Sequence, residues 1–479
     1  MSFAEIVLPA AGILVAVASL RTARRRRTLR MPIAGRLGTH APGAFGGLAV
    51  LATATVAQLT LSGWRWQLTP AAATAALLAT VLAVRALGRP ALLAGTLATT
   101  AVVGAVLSLA LSWALPIRIL PEPEGPHAVG TTTFVLRDAS RTERYGPTPG
   151  DPRELVVQVW YPAAPEARRD PAPLIPQAAT FADLGASELG LPRFSLGHLG
   201  LIASNATEDV AALDGPLPVV LLAHGWTGFR TIQTDLAERL ASEGWVVAAA
   251  DHRYGALVTT FPDGRADLFD AAALPEYGTV PDDVYAERSR TLIATFADDL
   301  TAVLRALERE APEPLTGRLD LTRLAFVGHS TGGGAAIAAC TAEPSCGAAV
   351  GFDPWVEPVD PAVLRTGPGR PLLSLRTEDW IDRPNEAVLQ RLHRTQRNGG
   401  HAEGIVTLDG ALHRDFTLIG ALSPAAGLLG LTGDTPGEVT RTATLEWTAR
   451  FLDHHVRGDG PDPLLAPPSV PVGRLEPTS

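Results

Sequence analysis

Acidic residues are almost missing from the first 117 positions, where Glu5 stands alone. What fills that stretch is apolar, in four runs at 3–20, 43–62, 70–87 and 91–116. Each is near the ~20 residues with which a helix crosses a ~30 Å hydrocarbon core while satisfying its own backbone. The last run carries no charge at all. Cysteine is scarce as well: Cys340 and Cys346, in "CTAEPSC", are the only two. Two are too few for a metal site of their own, but so close a pair could form a disulfide outside the cytoplasm.

Arginine sets the orientation of the apolar part. Residues 21–36 hold seven, the "RALGRP" turn two, and "SGWRWQ" one. The cluster follows the first run instead of preceding it, the reverse of a signal peptide, so the run reads as a retained helix. Positive loops stay inside, and an even number of crossings then leaves the remainder outside. Trp64, Trp66 and Trp113 suit the headgroup belt. The expectation is an all-α transmembrane region of about four helices over 1–117, in a multi-pass protein of the cell membrane with an extracytoplasmic catalytic domain. The net charge of −9 belongs to the whole chain; because the first 117 residues are basic, the remainder is more acidic still, which argues against a nucleic-acid partner for it.

A proline-rich linker, 118–126, cannot continue the last helix. From 127 to 457 short apolar segments alternate with helical patterns: 154–162, 217–225, 245–252, 324–330, 346–353, 371–379 and 404–410, with "RTIQTDLAERLASEG" and "RSRTLIATFADDLTAVLRALERE" between them. Strands apolar on both faces, alternating with helices, indicate an α/β domain with a largely parallel sheet. Residues 458–479 are proline-rich and poor in periodic apolar positions, and read as a disordered tail.

"VGHSTGGG", 327–334, places Ser330 between Gly328 and Gly332, after a buried strand and before a small-residue helix. That is the context of a nucleophile elbow, in which the tight strand-to-helix turn requires small neighbours. A serine hydroxyl needs a base, and the base an orienting acid. Downstream, His413 follows a strand by a short loop, and His401 in "NGGHAEG" is its rival. His393, His454 and His455 lie in helical runs and read as surface residues. For the acid, spacing leaves Asp353 level with Glu378 and Asp379. An oxyanion hole would take one N–H from Thr331 and one from the loop "AHGWTG", at Trp226.

As a set, "PVVLLAHGWTGFRTIQTDLAERLASEGWVVAAADHR", "VGHSTGGG", "CGAAVGFDPWVEP", "LDGALHRDF" and "RELVVQVWYPA" resemble the platelet-activating factor acetylhydrolase family of the plasma, lipoprotein-associated type. The resemblance covers about 127–456 and implies an α/β-hydrolase fold. It places the nucleophile on Ser330, the acid on Asp353, the base on His413 and the oxyanion donors on Trp226 and Thr331. It implies a calcium-independent serine esterase acting on short or oxidised acyl groups at the second glycerol position of phospholipids. No metal or organic cofactor is called for; the partners are an ester or lipid substrate and the bilayer. The four apolar runs and the segment 254–287 have no evident counterpart in that family. Two other readings remain: a cutinase-like or dienelactone-hydrolase-like carboxylesterase, and a non-catalytic membrane-anchored binding module.

Overall fold

The computed structural model of the protein describes residues 6, 8–17, 41–62, 65–86, 94–147, 149–167, 169–381 and 383–476. It divides into two units, Met1–Ile117 with Leu422–Ala425, and Arg118–Ala421 with Ala426–Ser479.

The first unit is helical: α1 (Leu8–Val17), α2 (Ala41–Ser62), α3 (Thr69–Ala86) and α4 (Ala94–Ala114). Leu8, Val15, Leu51, Leu78 and Leu82 form its interior. Small residues let α3 and α4 approach closely: a Cβ on Gly104 would come 2.7 Å from Thr74 Oγ1. Ser108 Oγ accepts from the Ala71 N–H at 2.9 Å. The outer faces are apolar too, with Val56, Leu59, Val103 and Val106 exposed. Among the described residues, one helical stretch, Trp66–Ala83, is long and apolar enough to cross a membrane. The other apolar stretches, Leu8–Val17, Gly46–Thr60 and Thr99–Ala114, fall short of that length. The expectation of about four crossing helices is therefore not supported. The arginine-rich stretch 21–36, Trp64 and most of the "RALGRP" turn lie outside the described residues.

The second unit is built on one ten-stranded sheet. Its strands are β1 (Ala128–Thr142), β2 (Pro152–Ala163), β3 (Ala206–Glu208), β4 (Leu217–Ala223) and β5 (Val246–Asp251); then, beyond a small hairpin of β6 (Val258–Thr260) and β7 (Ala266–Leu268), β8 (Leu319–His329), β9 (Cys346–Phe352), β10 (Leu372–Thr377), β11 (Glu403–Leu408) and β12 (Arg474–Leu475). The order is β12-β11-β10-β9-β8-β4-β5-β2-β1-β3. From β5 to β11 all neighbours run parallel, while β2 is antiparallel to β5 and to β1.

Alternation along each strand feeds two cores. Val219 and Leu221 of β4 face one side, with α7 (Asp282–Glu310) and α8 (Thr331–Ala342). Val220 and Leu222 face the other, with α6 (Thr234–Ser242) and Trp447 of the helix Gly437–Leu452. In α7, Leu292, Phe296, Leu300, Val303 and Leu307 are buried at the three-and-four spacing of an amphipathic helix. Asp282 and Asp283 in its first turn oppose the positive end of the helix dipole. Two further helices of this unit are Ala178–Glu188 and Pro384–Asn398.

The tail departs from expectation. Instead of remaining disordered, residues 474–475 add an antiparallel strand to β11, with Leu475 opposite Val406. Glu476 there pairs with Arg376 and accepts from Thr407 Oγ1 at 2.7 Å. One buried arginine thus gives a proline-rich segment a fixed docking point. Cys340 and Cys346 are joined as a disulfide between the end of α8 and the start of β9.

Candidate active site

Parallel strands bring their carboxyl ends to one edge, and the loops leaving β4, β8, β9 and β11 meet there. Ser330 lies between β8 and α8 with φ +56° and ψ −119°, a region costly for a residue with a side chain. Its neighbours hold it there. The Ser330 N–H donates to Phe352 O at 2.8 Å, and its carbonyl accepts from the N–H groups of Gly333, Gly334 and Trp355 at 2.9, 3.1 and 2.9 Å. The turn leaves no room for side chains on either flank. A Cβ on Gly328 would collide with the Gly332 carbonyl, and one on Gly332 would sit 2.5 Å from Ala223 O. Ser330 is half-buried, and its Oγ takes no hydrogen-bond partner among the described residues.

His413 opens a 3-10 turn, His413–Phe416, after β11. Its Nδ1 lies 2.9 Å from Asp353 Oδ2. Asp353 is fully buried at the end of β9. Its carboxylate also accepts from the Thr377 N–H at 2.8 Å and from Thr377 Oγ1 at 2.7 Å. These donors favour the ionised acid, so the proton of the pair sits on His413 Nδ1 and Nε2 is left as a base. Burial works against charge on both partners. It pushes the Asp353 carboxyl up to about 7, against the pull of Thr377. It holds His413 down at about 4, with the Asp379 carboxylate pulling back up and Arg414 and Arg383 adding to the depression. Trp380 stacks on the His413 ring, centroids 4.8 Å apart, and His329 packs on it at 4.4 Å.

Of the carboxylates that spacing leaves level, Asp353 is the one hydrogen-bonded to His413. Glu378 instead accepts from the Gly410 N–H at 3.0 Å, and Asp379 faces Arg383 at 3.7 Å. His401 sits before the start of β11, a strand length or about 20 Å from the carboxyl edge. His393 is not a surface residue: it is buried between Ser374 Oγ at 2.9 Å and Glu403 Oε2 at 2.8 Å, because its helical face turns toward the sheet. His454 and His455 lie with Asp462 after the helix Gly437–Leu452, their ligand atoms within 4.8 Å of one another.

The turn after β4 passes beside Ser330, since a Cβ on Gly225 would come 3.0 Å from Ser330 Cβ. Within it the Thr227 N–H donates to Gly255 O and the Gly228 N–H to Gly225 O, each at 2.9 Å. Among the described residues the N–H groups of Trp226 and Thr331 donate to no backbone acceptor. The segment 254–287 reaches this turn, setting Phe269 edge-on to Trp226 at 5.6 Å. Thr377 escapes a reading of motifs, because a threonine closing a strand looks like any β-former; only its place one residue before Glu378 and Asp379 hints at a role.

The family described as platelet-activating factor acetylhydrolase, isoform II, matches residues 116–280 and 308–459. The dienelactone hydrolase family matches 206–378. A platelet-activating factor acetylhydrolase of Cavia porcellus is 24% identical over 367 residues, 70% of this chain and 78% of its own. A bis(hydroxyethyl) terephthalate hydrolase of Streptomyces coelicolor is 29% identical over 174 residues, 36% of this chain and 42% of its own. A ferulic acid esterase from Streptomyces cinnamoneus superposes with a TM-score of 0.58 at 26% identity, over 74% of this chain and 97% of that one. With about two thirds of its length matched, this chain belongs to the platelet-activating factor acetylhydrolase isoform II family, and it is an ester hydrolase of the α/β-hydrolase superfamily.

Proposed function

We propose that this protein is a membrane-tethered serine esterase with Ser330 as its nucleophile. The observation that carries this reading is the 2.9 Å contact between His413 Nδ1 and Asp353 Oδ2 beside a serine held at a strained elbow. Ser330 passes its proton to His413 Nε2 as Oγ attacks the ester carbonyl, and the oxyanion accepts from the N–H groups of Trp226 and Thr331. Asp353 stabilises the imidazolium. Collapse expels the alcohol, which takes the proton from His413, and water then releases the acid by the same steps. No step calls on a metal ion or organic cofactor.

The proposed substrates are short or oxidised acyl groups at the second glycerol position of phospholipids, in keeping with the acetylhydrolase relatives. The exposed apolar faces of α2 and α4 and the seven arginines of 21–36 support a bilayer anchor. The disulfide suits an oxidising, extracytoplasmic side. A tethered domain would meet lipid at high effective concentration.

The test is hydrolysis of p-nitrophenyl esters from acetate to octanoate by the full-length chain, with and without a calcium chelator. Chelator-resistant turnover, lost in Ser330→Ala and fastest on short acyl groups, is expected; equal turnover by Ser330→Ala would end the proposal. A second reading, a cutinase-like carboxylesterase, draws on the tryptophans near Ser330. The Trp355 N–H bonds the Ser330 carbonyl, and Trp380 stacks on His413. Higher kcat/KM on a ferulate or terephthalate ester than on a short-acyl phospholipid would favour it.

A further inference from the structure

A buried chain of polar groups runs from the far side of β5 to the turn that carries Trp226. Asp299 of α7 lies at its base, fully buried. Arg153 grips it with Nε to Oδ1 at 2.8 Å and Nη2 to Oδ2 at 2.6 Å, and Arg141 Nη1 adds a third contact at 2.8 Å. These cations hold Asp299 ionised, well below the usual carboxylate range despite its burial. The carboxylate accepts from His252 Nδ1 at 3.0 Å, and the His252 ring lies flat on Phe296 at 3.8 Å. The His252 backbone N–H donates to His224 Nε2 at 3.1 Å. A backbone N–H can only donate, so His224 Nε2 is the acceptor and the ring proton is on Nδ1. That Nδ1–H donates to Gly225 O at 2.7 Å, an atom that can only accept.

Gly225 O belongs to the same peptide unit as the Trp226 N–H. The unit is planar and trans, so fixing its carbonyl edge aims its N–H edge in the opposite direction. Polarising the carbonyl also makes the N–H a stronger donor. Turn geometry alone supplies one further bond to that carbonyl, from the Gly228 N–H.

We propose that His224 is a positioning residue for the ester hydrolysis: by donating to Gly225 O it presets the Trp226 N–H for the oxyanion, with His252 and Asp299 holding its tautomer and place. The proposal rests on the serine-esterase reading above. His224 itself touches no reacting atom.

The two amides separate this role from a merely structural one. In His224→Asn the side-chain amide replaces Nδ1 and keeps a donor for Gly225 O. In His224→Gln it extends to the Nε2 position and loses that donor. Full-length wild type, His224→Asn, His224→Gln, His224→Phe and Ser330→Ala are compared by kcat and KM on p-nitrophenyl acetate. A trifluoromethyl ketone, whose serine adduct carries the oxyanion, supplies an inhibition constant for each. The expected order in kcat is wild type, Asn, Gln, Phe. Phe should lose on the order of 10-fold to 10²-fold, with KM within about twofold and the inhibition constant weakened by the same factor as kcat. Gln equal to or better than Asn, or kcat losses with unchanged inhibition, would overturn the proposal. If His224→Phe does not fold, the Asn and Gln pair decides by the same criteria. Should Ser330→Ala retain wild-type turnover, the esterase reading fails first; loss in Ser330→Ala beside full activity in a folded His224→Phe sinks the positioning role alone.

Discussion

His329 Nε2 donates to the carbonyl oxygen of His413 across 3.0 Å. The residue before the proposed nucleophile thus grips the backbone of the proposed base. Burial holds His329 neutral, down at about 3, which suits a ring acting as a plain donor. Replacing it by Phe keeps the packing on His413 and removes the donor. We expect kcat to fall about threefold to tenfold, the worth of one neutral hydrogen bond, with KM nearly unchanged. Steady-state kinetics on p-nitrophenyl acetate checks this; undiminished kcat would show that the tie is dispensable.

Asp353→Asn leaves the shape of the site intact and reverses the hydrogen-bond demand on His413 Nδ1. A drop in kcat on the order of 10⁴-fold is expected, the size seen when a buried triad acid is neutralised. Asp379→Asn should retain most of the activity, since Asp379 makes its contact with Arg383. The reverse ranking of the two variants would transfer the acid role to Asp379.

Because burial holds His413 near 4, its protonated form is disfavoured and the imidazole by itself would stay a competent base into mild acid. The partner sets the limit of that range: burial pushes the Asp353 carboxyl up to about 7, so kcat/KM should decline as the pair takes up a proton near 7 and be level above about pH 8. The Asp379 carboxylate raises His413 and Arg414 lowers it. Asp379→Asn should accordingly move the acid limb further down, and Arg414→Gln should move it up. A wild-type midpoint above about 8 or below about 6, or opposite displacements, contradicts this account of the site's electrostatics.

The docked tail gives a prediction about stability. Glu476→Ala removes a partner of the buried Arg376, leaving Glu386 as its remaining carboxylate. Glu476 keeps 19% of its side chain exposed, so water recovers part of the loss and the cost is about 1–2 kcal/mol. A thermal melt should show Tm lower by a few degrees with turnover at 25 °C unchanged. An unaltered Tm would mean that the tail is held without this pair.

The elbow is legible in the sequence because it rests on absences: Gly328 and Gly332 must lack side chains, and such positions are visible as letters. The parallel strands are legible because burial on both faces makes 217–223 and 324–327 continuous apolar runs. β1 is not, since Thr131, Thr132 and Thr133 pair with β2 through backbone bonds that any residue supplies. The choice between Asp353 and Asp379 is beyond spacing, because both end neighbouring strands and the resemblance alone separates them. The cluster of Arg153, Asp299 and Glu143 is hidden for another reason. Glu143 comes from the connection of β1 to β2, Arg153 from the start of β2 and Asp299 from α7, far along the chain, and each reads alone as an ordinary surface charge.

β12 lies at the outer edge of the sheet, and its two residues together with Glu476 occupy the backbone groups of Ile405, Val406 and Thr407. Were this segment clipped by a protease, β11 would become a bare, β-branched edge strand, a template for joining a second molecule. Loss of the tail would then surface first as clouding and higher-order species in light scattering, while the chemistry at each remaining soluble active site stayed intact.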